Sequence, residues 1–400
     1  MHDIFIGRQP IYDRSLDVYA YELLYRGSEQ NRAVVIDGDQ ATSRVILNAF
    51  MEIGLNQIVG QRPAFINLTR GFLVDRDMML PADKVVLEVL EDVVVDEPLI
   101  RGVRRLCEQG YRIALDDFTL REELLPLVDL AHVIKIDVMA LDRAAVREHV
   151  SRLRRYKTAL LAEKVETRED FEFCRRLGFD YFQGYFFCRP SVIKGQGVPA
   201  NRIALLHLLS ELYKPDVDMR RLEELISHDV SLSYRLLRYM NSAFFSLPNK
   251  IESIHRAVVF LGLQVIKIWV TVIALSGIGD KPHELMTTLL VRAKMCELLA
   301  SAMRRDGPEI FFTVGLFSGL DALLDAPMNR ILDSLPLSDE IERALLHQEG
   351  PLGEVLRYAL AYERGDWDAA TCRDLDQSSI RDAYLGALAW ADRAAKELMA

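Results

Sequence analysis

Short runs of β-branched and aromatic residues alternate with amphipathic stretches along the first half of the chain. This alternation is typical of βα units around a mainly parallel sheet. Eight runs predict strands: Ile4–Ile6, Val18–Leu24, Ala64–Leu68, Val85–Leu90, Arg112–Phe118, Val133–Val138, Ala159–Val165 and Tyr181–Phe187. The helices predicted between them include Thr42–Ile53, Glu97–Gln109, Arg143–Tyr156 and Glu169–Leu177. That number of strands suits a closed barrel.

The pattern changes after Pro190, where the glycine-rich stretch Gly195–Pro199 leads into helical periodicity without strand signals. Apolar side chains then recur at helical spacing, as at Leu232, Leu236 and Met240. We therefore predict an α/β TIM-like (β/α) barrel over residues 1–195 and an irregular all-helical bundle over residues 196–400.

The run Ala257–Leu275 is almost wholly apolar and approaches the length that spans a bilayer. Gly262, Gln264 and Lys267 interrupt it, so we predict one helix that ends at the glycine and a second helix buried inside the bundle. The start of the chain lacks the basic residues and apolar stretch of a secretory signal. We expect a cytoplasmic protein without a membrane partner.

Composition narrows the range of partners. The 400 residues carry a formal net charge of −10, and polyanion binding needs clustered Lys and Arg, so direct nucleic-acid binding is not expected. The five cysteines are scattered, without the Cys-x-x-Cys spacing of a metal or redox pair.

Polar side chains fall in or at the end of seven different predicted strands, although strands buried on both faces are normally apolar. In a parallel barrel the carboxyl ends of the strands meet on one face. These residues are Glu22, Asn67, Glu88, Asp116, Asp117, Lys135, Glu163 and Gln183.

Several carboxylates and one amide, if brought together, need a cation to offset their repulsion. All-oxygen ligands favour Mg²⁺ or Mn²⁺, and the lack of His and Cys argues against zinc. With Lys135 as a fixed charge, the set suits metal-assisted hydrolysis of a phosphodiester, with a carboxylate as base. The alternative, solvated strand ends in an ordinary barrel, fits single charges better than the whole set.

Seven motifs follow one another in order along the first half. They are Tyr21-Glu22-Leu23-Leu24-Tyr25-Arg26, Phe65-Ile66-Asn67-Leu68-Thr69, Leu87-Glu88-Val89-Leu90-Glu91, Asp116-Asp117-Phe118, Lys135-Ile136-Asp137, Glu163-Lys164-Val165-Glu166 and Gln183-Gly184-Tyr185. This ordered set resembles the EAL family of cyclic di-GMP phosphodiesterases.

The resemblance implies roles for these residues. It implies that Mg²⁺ or Mn²⁺ is held by Glu22, Asn67, Glu88, Asp116 and Asp117, the last two as a metal-bridging pair. Glu163 would be a ligand or the catalytic base with Lys135 beside it, and Arg26 and Gln183 would contact cyclic di-GMP. Glu91 would brace the loop after the next strand, while Asp137, Glu91 and Glu166 are equally suited to structural roles.

Two departures from the family pattern bear on turnover. Thr119–Leu124 replaces a glycine-rich loop that in the family connects the metal site, the ligand and a dimer partner. Lys164 replaces a glycine and adds a cation beside the site. We expect weak hydrolysis or none, since the new loop is not expected to organise a second metal.

His228-Asp229 suggests the metal-binding dipeptide of HD phosphohydrolases, but it lies between two predicted helices, where Asp229 or Ser231 is suited to an N-cap. The segments Ile226–Leu232, Leu236–Ala243 and Ile254–Gly262 resemble the HDOD family, a non-catalytic relative of the HD fold. Ser318 and Gly319 align with the dipeptide of HD enzymes, and the other histidines form no ligand set.

These patterns predict a signal-transduction regulator of bacterial type, whose degenerate barrel binds cyclic di-GMP rather than hydrolysing it efficiently. An active metal-dependent phosphodiesterase that produces linear pGpG is the alternative, and a scaffold without ligand ranks third. The expected partners are cyclic di-GMP, a signalling protein that contacts the helical domain, and a second copy of the chain.

Overall fold

The structure is a computed structural model, and it describes residues 4–27, 54–75, 80–184, 200–245, 250–278, 281–370, 372 and 374–399. Packing divides the chain into two units. The first comprises Met1–Phe186 with Tyr362–Trp367, and the second comprises Phe187–Ala361 with Asp368–Ala400. The predicted boundary at residue 195 and the predicted helix Thr42–Ile53 lie outside the described residues.

In the described residues of the first unit, eight strands close into a barrel in the order of the chain. They are β1 (Ile4–Tyr12), β2 (Val18–Gly27), β3 (Ala64–Leu68), β4 (Val85–Val89), β5 (Arg112–Leu115), β6 (Val133–Asp137), β7 (Ala159–Glu163) and β8 (Tyr181–Phe182). β1 pairs antiparallel with β2 and β8, and all other neighbours are parallel. The predicted α/β barrel is confirmed.

β1 is longer than its predicted span, Ile4–Ile6. Polar residues and Pro10 interrupt the apolar pattern of this strand in the sequence. Among the described residues, β1 pairs with β8 at Tyr12 and with β2 along its whole length.

The interior of the barrel explains where the polar residues lie. A buried apolar layer includes Ala20, Phe65, Val86, Ala114, Val133 and Leu161, one residue from each of six strands. Side chains two positions apart in a strand point to the same face. Two positions further along stand Glu22, Asn67, Glu88, Asp116, Lys135 and Glu163. The apolar layer therefore forms the floor beneath a polar layer near the carboxyl ends of the strands.

Helices connect the barrel strands. They are α1 (Leu55–Val59), α2 (Arg70–Asp75), α3 (Glu97–Glu108), α4 (Leu125–Val128), α5 (Arg143–Leu153) and α6 (Arg168–Leu177). Three begin at side-chain N-caps, where Asp96, Asp142 and Thr167 accept a hydrogen bond from the backbone three residues later. These caps fix the points at which the chain leaves the sheet.

The second unit is helical in its described residues, as predicted. Its helices are α7 (Ala200–Leu212), α8 (Met219–Ser227), α9 (Val230–Met240), α10 (Ile254–Leu261), α11 (Leu263–Ser276), α12 (His283–Ala302), α13 (Pro308–Phe317), α14 (Leu320–Leu324), α15 (Met328–Leu332), α16 (Asp339–His347), α17 (Gly350–Glu363) and α18 (Gln377–Met399). The last two residues of α17, Tyr362 and Glu363, belong to the first unit.

The apolar run Ala257–Leu275 is divided between α10 and α11, as predicted. Gly262 separates the two helices with φ at 88°, a conformation that favours glycine. α11 is buried over most of its length, with Trp269 and Val270 in the core of the unit. None of the helices among the described residues combines the length and apolarity needed to cross a membrane.

Candidate functional site

The ammonium group of Lys135 lies at the centre of four carboxylates in the polar layer of the barrel. Its Nζ is 2.6 Å from Asp116 Oδ1, 2.7 Å from Glu88 Oε1, 2.9 Å from Glu163 Oε1 and 3.3 Å from Glu22 Oε2. Lys135 is 1% exposed and Glu88 is 0% exposed. One ammonium cannot balance four carboxylates, so the site favours either bound protons or a further cation.

Two amides orient the carboxylate of Glu22. Asn67 Nδ2 donates to Glu22 Oε1 at 3.2 Å, and Gln183 Nε2 donates to Glu22 Oε2 at 2.7 Å. Gly184 lets the chain pass close to β7, since it has φ at 150° and a Cβ there would lie 2.2 Å from the carbonyl oxygen of Val165. The Gln-Gly pair therefore places the amide of Gln183 beside Glu22, and its contact with cyclic di-GMP stays a prediction.

The surroundings divide the carboxylates into two classes. Burial opposes ionisation of Glu22, but the charge of Lys135 and the two amide hydrogen bonds outweigh burial and hold its pKa below the ordinary value. Burial raises the pKa of Glu88 well above its ordinary value, and the charge of Glu22 adds to the effect. Burial also raises the pKa of Asp116, and it raises the pKa of Glu163 to about 8 against the opposing charge of Lys135.

The donor set fits a hard divalent cation in chemical type. Among the described residues, Glu88 Oε2, Glu163 Oε2 and Gln183 Oε1 are buried oxygens without a hydrogen-bond partner. No three Asp, Glu, His or Cys side chains in the described part of the chain are arranged to hold a metal ion. The carboxylates of the cluster surround the ammonium of Lys135. A cation bound here would have to share these oxygens with Lys135.

Asp117 lies apart from this cluster, at the edge of the site. It has φ at 38°, and its Oδ1 is 3.7 Å from the Nζ of Lys164. Lys164 also donates to Asp137 Oδ2, while Asp137 Oδ1 accepts from the backbone of Met139 at 2.8 Å and Ala140 at 3.0 Å. Asp116 and Asp117 therefore face different cations, although the resemblance implies a shared role.

The loop that replaces the family's glycine-rich segment has contacts of its own. Leu120 N donates to His149 Nε2 at 3.2 Å, and His149 Nδ1 lies 2.9 Å from Ala145 O. Arg121 donates to the main-chain oxygen of Glu91 at 3.2 Å. Glu91 thus supports this loop through its backbone, and sequence reasoning did not find the part played by His149.

A cavity of about 360 Å³ adjoins the site, and all residues that line it belong to the first unit. It is lined by Leu23, Leu24, Asn67, Thr69, Leu90, Arg364, Gly365 and Trp367. The side chain of Arg26, predicted to contact a phosphate, lies outside the described residues, although its backbone belongs to β2.

Two positions of the helical unit were compared with the metal-binding dipeptide of HD enzymes, namely His228-Asp229 and Ser318-Gly319. Asp229 is the N-cap of α9 and accepts from Leu232 N at 2.9 Å, so of the two predicted cap positions, Asp229 and Ser231, the first is used. Ser318 Oγ donates to Gly315 O at 2.7 Å and accepts from the buried Arg292 at 2.8 Å. A buried arginine thus contacts the position that aligns with the HD dipeptide.

Comparison with known proteins gives two kinds of match. The EAL domain family matches residues 57–190, and the HDOD domain family matches residues 199–326. "Uncharacterized protein YuxH" of Bacillus subtilis is 36% identical and covers 97% of this chain and 98% of its own length. "Cyclic di-GMP phosphodiesterase CdgJ" of Vibrio cholerae is 36% identical and covers 98% of this chain and 93% of its own length.

The chain belongs to the family of EAL–HDOD two-domain signalling proteins. Among solved structures, Klebsiella pneumoniae BlrP1 in a calcium/cy-diGMP complex covers 47% of this chain and 56% of that chain, at 23% identity and a TM-score of 0.39. The EAL barrel here brings together seven of the predicted site residues, which are Glu22, Asn67, Glu88, Asp116, Lys135, Glu163 and Gln183.

Proposed function

We propose that the EAL barrel binds cyclic di-GMP together with Mg²⁺ or Mn²⁺, hydrolyses it slowly at most, and controls a signalling protein through the HDOD domain. The observation that carries the proposal is the buried cluster around Lys135. Four carboxyl groups within 3.3 Å of one ammonium can carry more negative charge than that ammonium offsets, which suits a divalent cation and, through it, a phosphodiester.

The residues divide the chemistry among themselves. A divalent cation held by Glu22, Asn67, Glu88 and Asp116 would offset the charge of the phosphodiester and make a water molecule more acidic. In its ionised form Glu163 is suited to accept the proton of the attacking water, since a carboxylate whose pKa is raised to about 8 is a stronger base than an ordinary carboxylate. Lys135 holds this carboxylate at 2.9 Å. Hydrolysis opens one phosphodiester bond, and the leaving ribose oxygen takes up a proton.

Two features favour slow turnover. Thr119–Leu124 takes a course fixed by His149 and by the backbone of Glu91, where the family has glycines. Lys164 places a positive charge between Asp117 and Asp137 at the edge of the site. A full cyclic di-GMP phosphodiesterase that forms linear pGpG is the second candidate, favoured by the activity for which CdgJ is named and by its 36% identity over nearly the whole chain.

Calorimetric titration of the full-length protein with cyclic di-GMP, with and without Mn²⁺, tests the binding. We expect binding that requires Mn²⁺, and a loss of roughly tenfold to a hundredfold in Arg26→Ala, because a charge-assisted phosphate contact is removed. Glu148→Gln serves as control, since Glu148 is an exposed carboxylate on α5. No binding at high micromolar nucleotide with Mn²⁺ present would refute the receptor function.

Chromatography of the same mixtures measures pGpG and separates the two candidates. Slow or undetectable product formation agrees with the receptor. Rapid turnover that disappears in Glu22→Gln would instead support the full phosphodiesterase.

Control through the helical domain is tested by hydrogen exchange. Both relatives match nearly the whole chain, which supports a working connection between the two domains. We expect cyclic di-GMP to change amide protection beyond residue 201, because a regulator needs a second state that the ligand favours. Tight binding without any change there would contradict the coupling.

A homodimer also stays a prediction, and sedimentation with and without nucleotide tests it.

A further inference from the structure

We propose that the ammonium group of Lys164 stands in for a second divalent cation, so that this barrel binds one divalent ion and carries the other positive charge in its own chain. The inference rests on the proposed function in one respect, namely that the Lys135 cluster binds a divalent cation. Lys164 lies between two carboxylates, Asp117 and Asp137.

The backbone at Lys164 gives the first argument. Its φ is 54°, in the left-handed region that glycine enters without strain and that a lysine enters at a cost. Residues held in such conformations cluster at sites where the side chain has a role. The contacts of the Lys164 side chain can offset this backbone cost.

The contacts of Lys164 give the second argument. Its Nζ donates to Asp137 Oδ2 and lies 3.7 Å from Asp117 Oδ1, a buried oxygen without a hydrogen-bond partner in the described part of the chain. The ammonium is therefore the cation that the structure places beside both carboxylates. A divalent ion at this position would meet the repulsion of a fixed positive charge a few ångströms away.

The position relative to the main cluster gives the third argument. Asp137 and Glu163 are register partners in β6 and β7, and Asp116 and Asp117 are neighbours in the chain. One member of each pair faces the buried Lys135, and the other faces Lys164. The carboxylates thus form two neighbouring sets, each with its own cation. Lys135 lies deep in the barrel, and Lys164 lies at its rim.

The test counts bound metal without any nucleotide. Full-length parent, Lys164→Gly and Lys164→Arg are titrated with Mn²⁺, and bound Mn²⁺ per chain is measured by equilibrium dialysis and by the electron paramagnetic resonance signal of free Mn²⁺. We expect one ion in the parent and in Lys164→Arg, and two in Lys164→Gly, with affinity at the second position raised at least about tenfold. Lys157→Met, an exposed lysine of the same barrel, should bind like the parent.

Lys164→Met, which removes the charge but keeps a long side chain, is titrated in the same way. Thermal unfolding of each variant tests whether the fold is kept. Two bound ions in the parent, or none in both the parent and Lys164→Gly, would overturn the inference, and so would equal numbers in those two proteins. Failure of cyclic di-GMP to bind a protein that shows the expected Mn²⁺ counts would refute the proposed function alone, so the two failures are distinguishable.

Discussion

Replacement of the buried lysine, Lys135→Met, would leave four carboxylates of the barrel without their shared ammonium partner. Lys135 is 1% exposed, and its Nζ contacts carboxylate oxygens from four other strands or strand ends at 2.6 to 3.3 Å. Methionine keeps an unbranched apolar stem of similar length and adapts to irregular surroundings. The change therefore removes mainly charge, with little loss of packing.

The expected cost follows from the burial of these charges. Removal of one partner from a buried ion pair destabilises a protein by about 3–5 kcal/mol, because it leaves an uncompensated charge. For a domain of 150–250 residues, each kcal/mol lowers Tm by about 2–4 °C, so the transition of the barrel should fall by roughly 6–20 °C. The carboxylates can recover part of the loss by binding protons, since burial already raises the pKa of Glu88, Asp116 and Glu163. The loss is therefore smallest at low pH, where these carboxyl groups bind protons, and it grows as the pH rises.

Differential scanning calorimetry of the full-length protein in EDTA measures this effect, with the exposed Lys157→Met as the matched control. We expect Mn²⁺ and mild acid each to raise the Tm of Lys135→Met by more than that of the parent, because a divalent cation or a bound proton replaces the missing charge. A loss no larger than that of Lys157→Met would show that the carboxylates do not depend on Lys135. A loss that neither Mn²⁺ nor acid reduces would show that packing, not charge, was removed.

Three further predictions concern other parts of the chain. Burial raises the pKa of Glu163 from 4.5 to about 8, so its neutral form contributes stability that is complete below pH 4.5 and is lost as the pH rises through 8. Glu163→Gln should therefore flatten the fall in Tm between these pH values, measured in EDTA. An unchanged slope would contradict the raised pKa of Glu163. Asp229→Ala removes the N-cap of α9 and should cost about 1 kcal/mol in thermal unfolding, more than His228→Ala. Gly315→Ala places a Cβ 2.6 Å from the Cα of Ala293 and should cost roughly 1–3 kcal/mol, while Gly386→Ala, whose Cβ meets only the end of Leu298, should cost less.

The polar layer of the barrel was predictable because strand periodicity places residues two apart on one face. Phe65 and Asn67 in β3, or Val133 and Lys135 in β6, show the pattern within a few residues of sequence. What the pattern does not contain is the pairing inside the layer. Lys135 contacts carboxylates from strands far apart in the chain, and those contacts depend on the closure of the barrel.

The antiparallel first strand and the contact of Tyr362 with the barrel unit were beyond local patterns. Tyr362 Oη donates to the main-chain oxygen of Ile6 at 3.1 Å, across a sequence separation of more than 350 residues. No spacing or propensity near either residue indicates this contact. Periodicity predicts which face of an element is buried, but the partner of that face depends on the arrangement of the whole chain.

The two departures from the EAL pattern show a different limit. The sequence shows that glycines of the EAL pattern are replaced after Phe118 and at Lys164. The replacement of a glycine alone suggests a loop that has lost its function. The structure instead gives each replacement a set of contacts, His149 for the loop and two aspartates for Lys164. A lysine that keeps φ at 54° and contacts two carboxylates differs from a residue that has only lost a function. The number of metal ions bound per chain is the quantity that tests whether this charge replaces a cation.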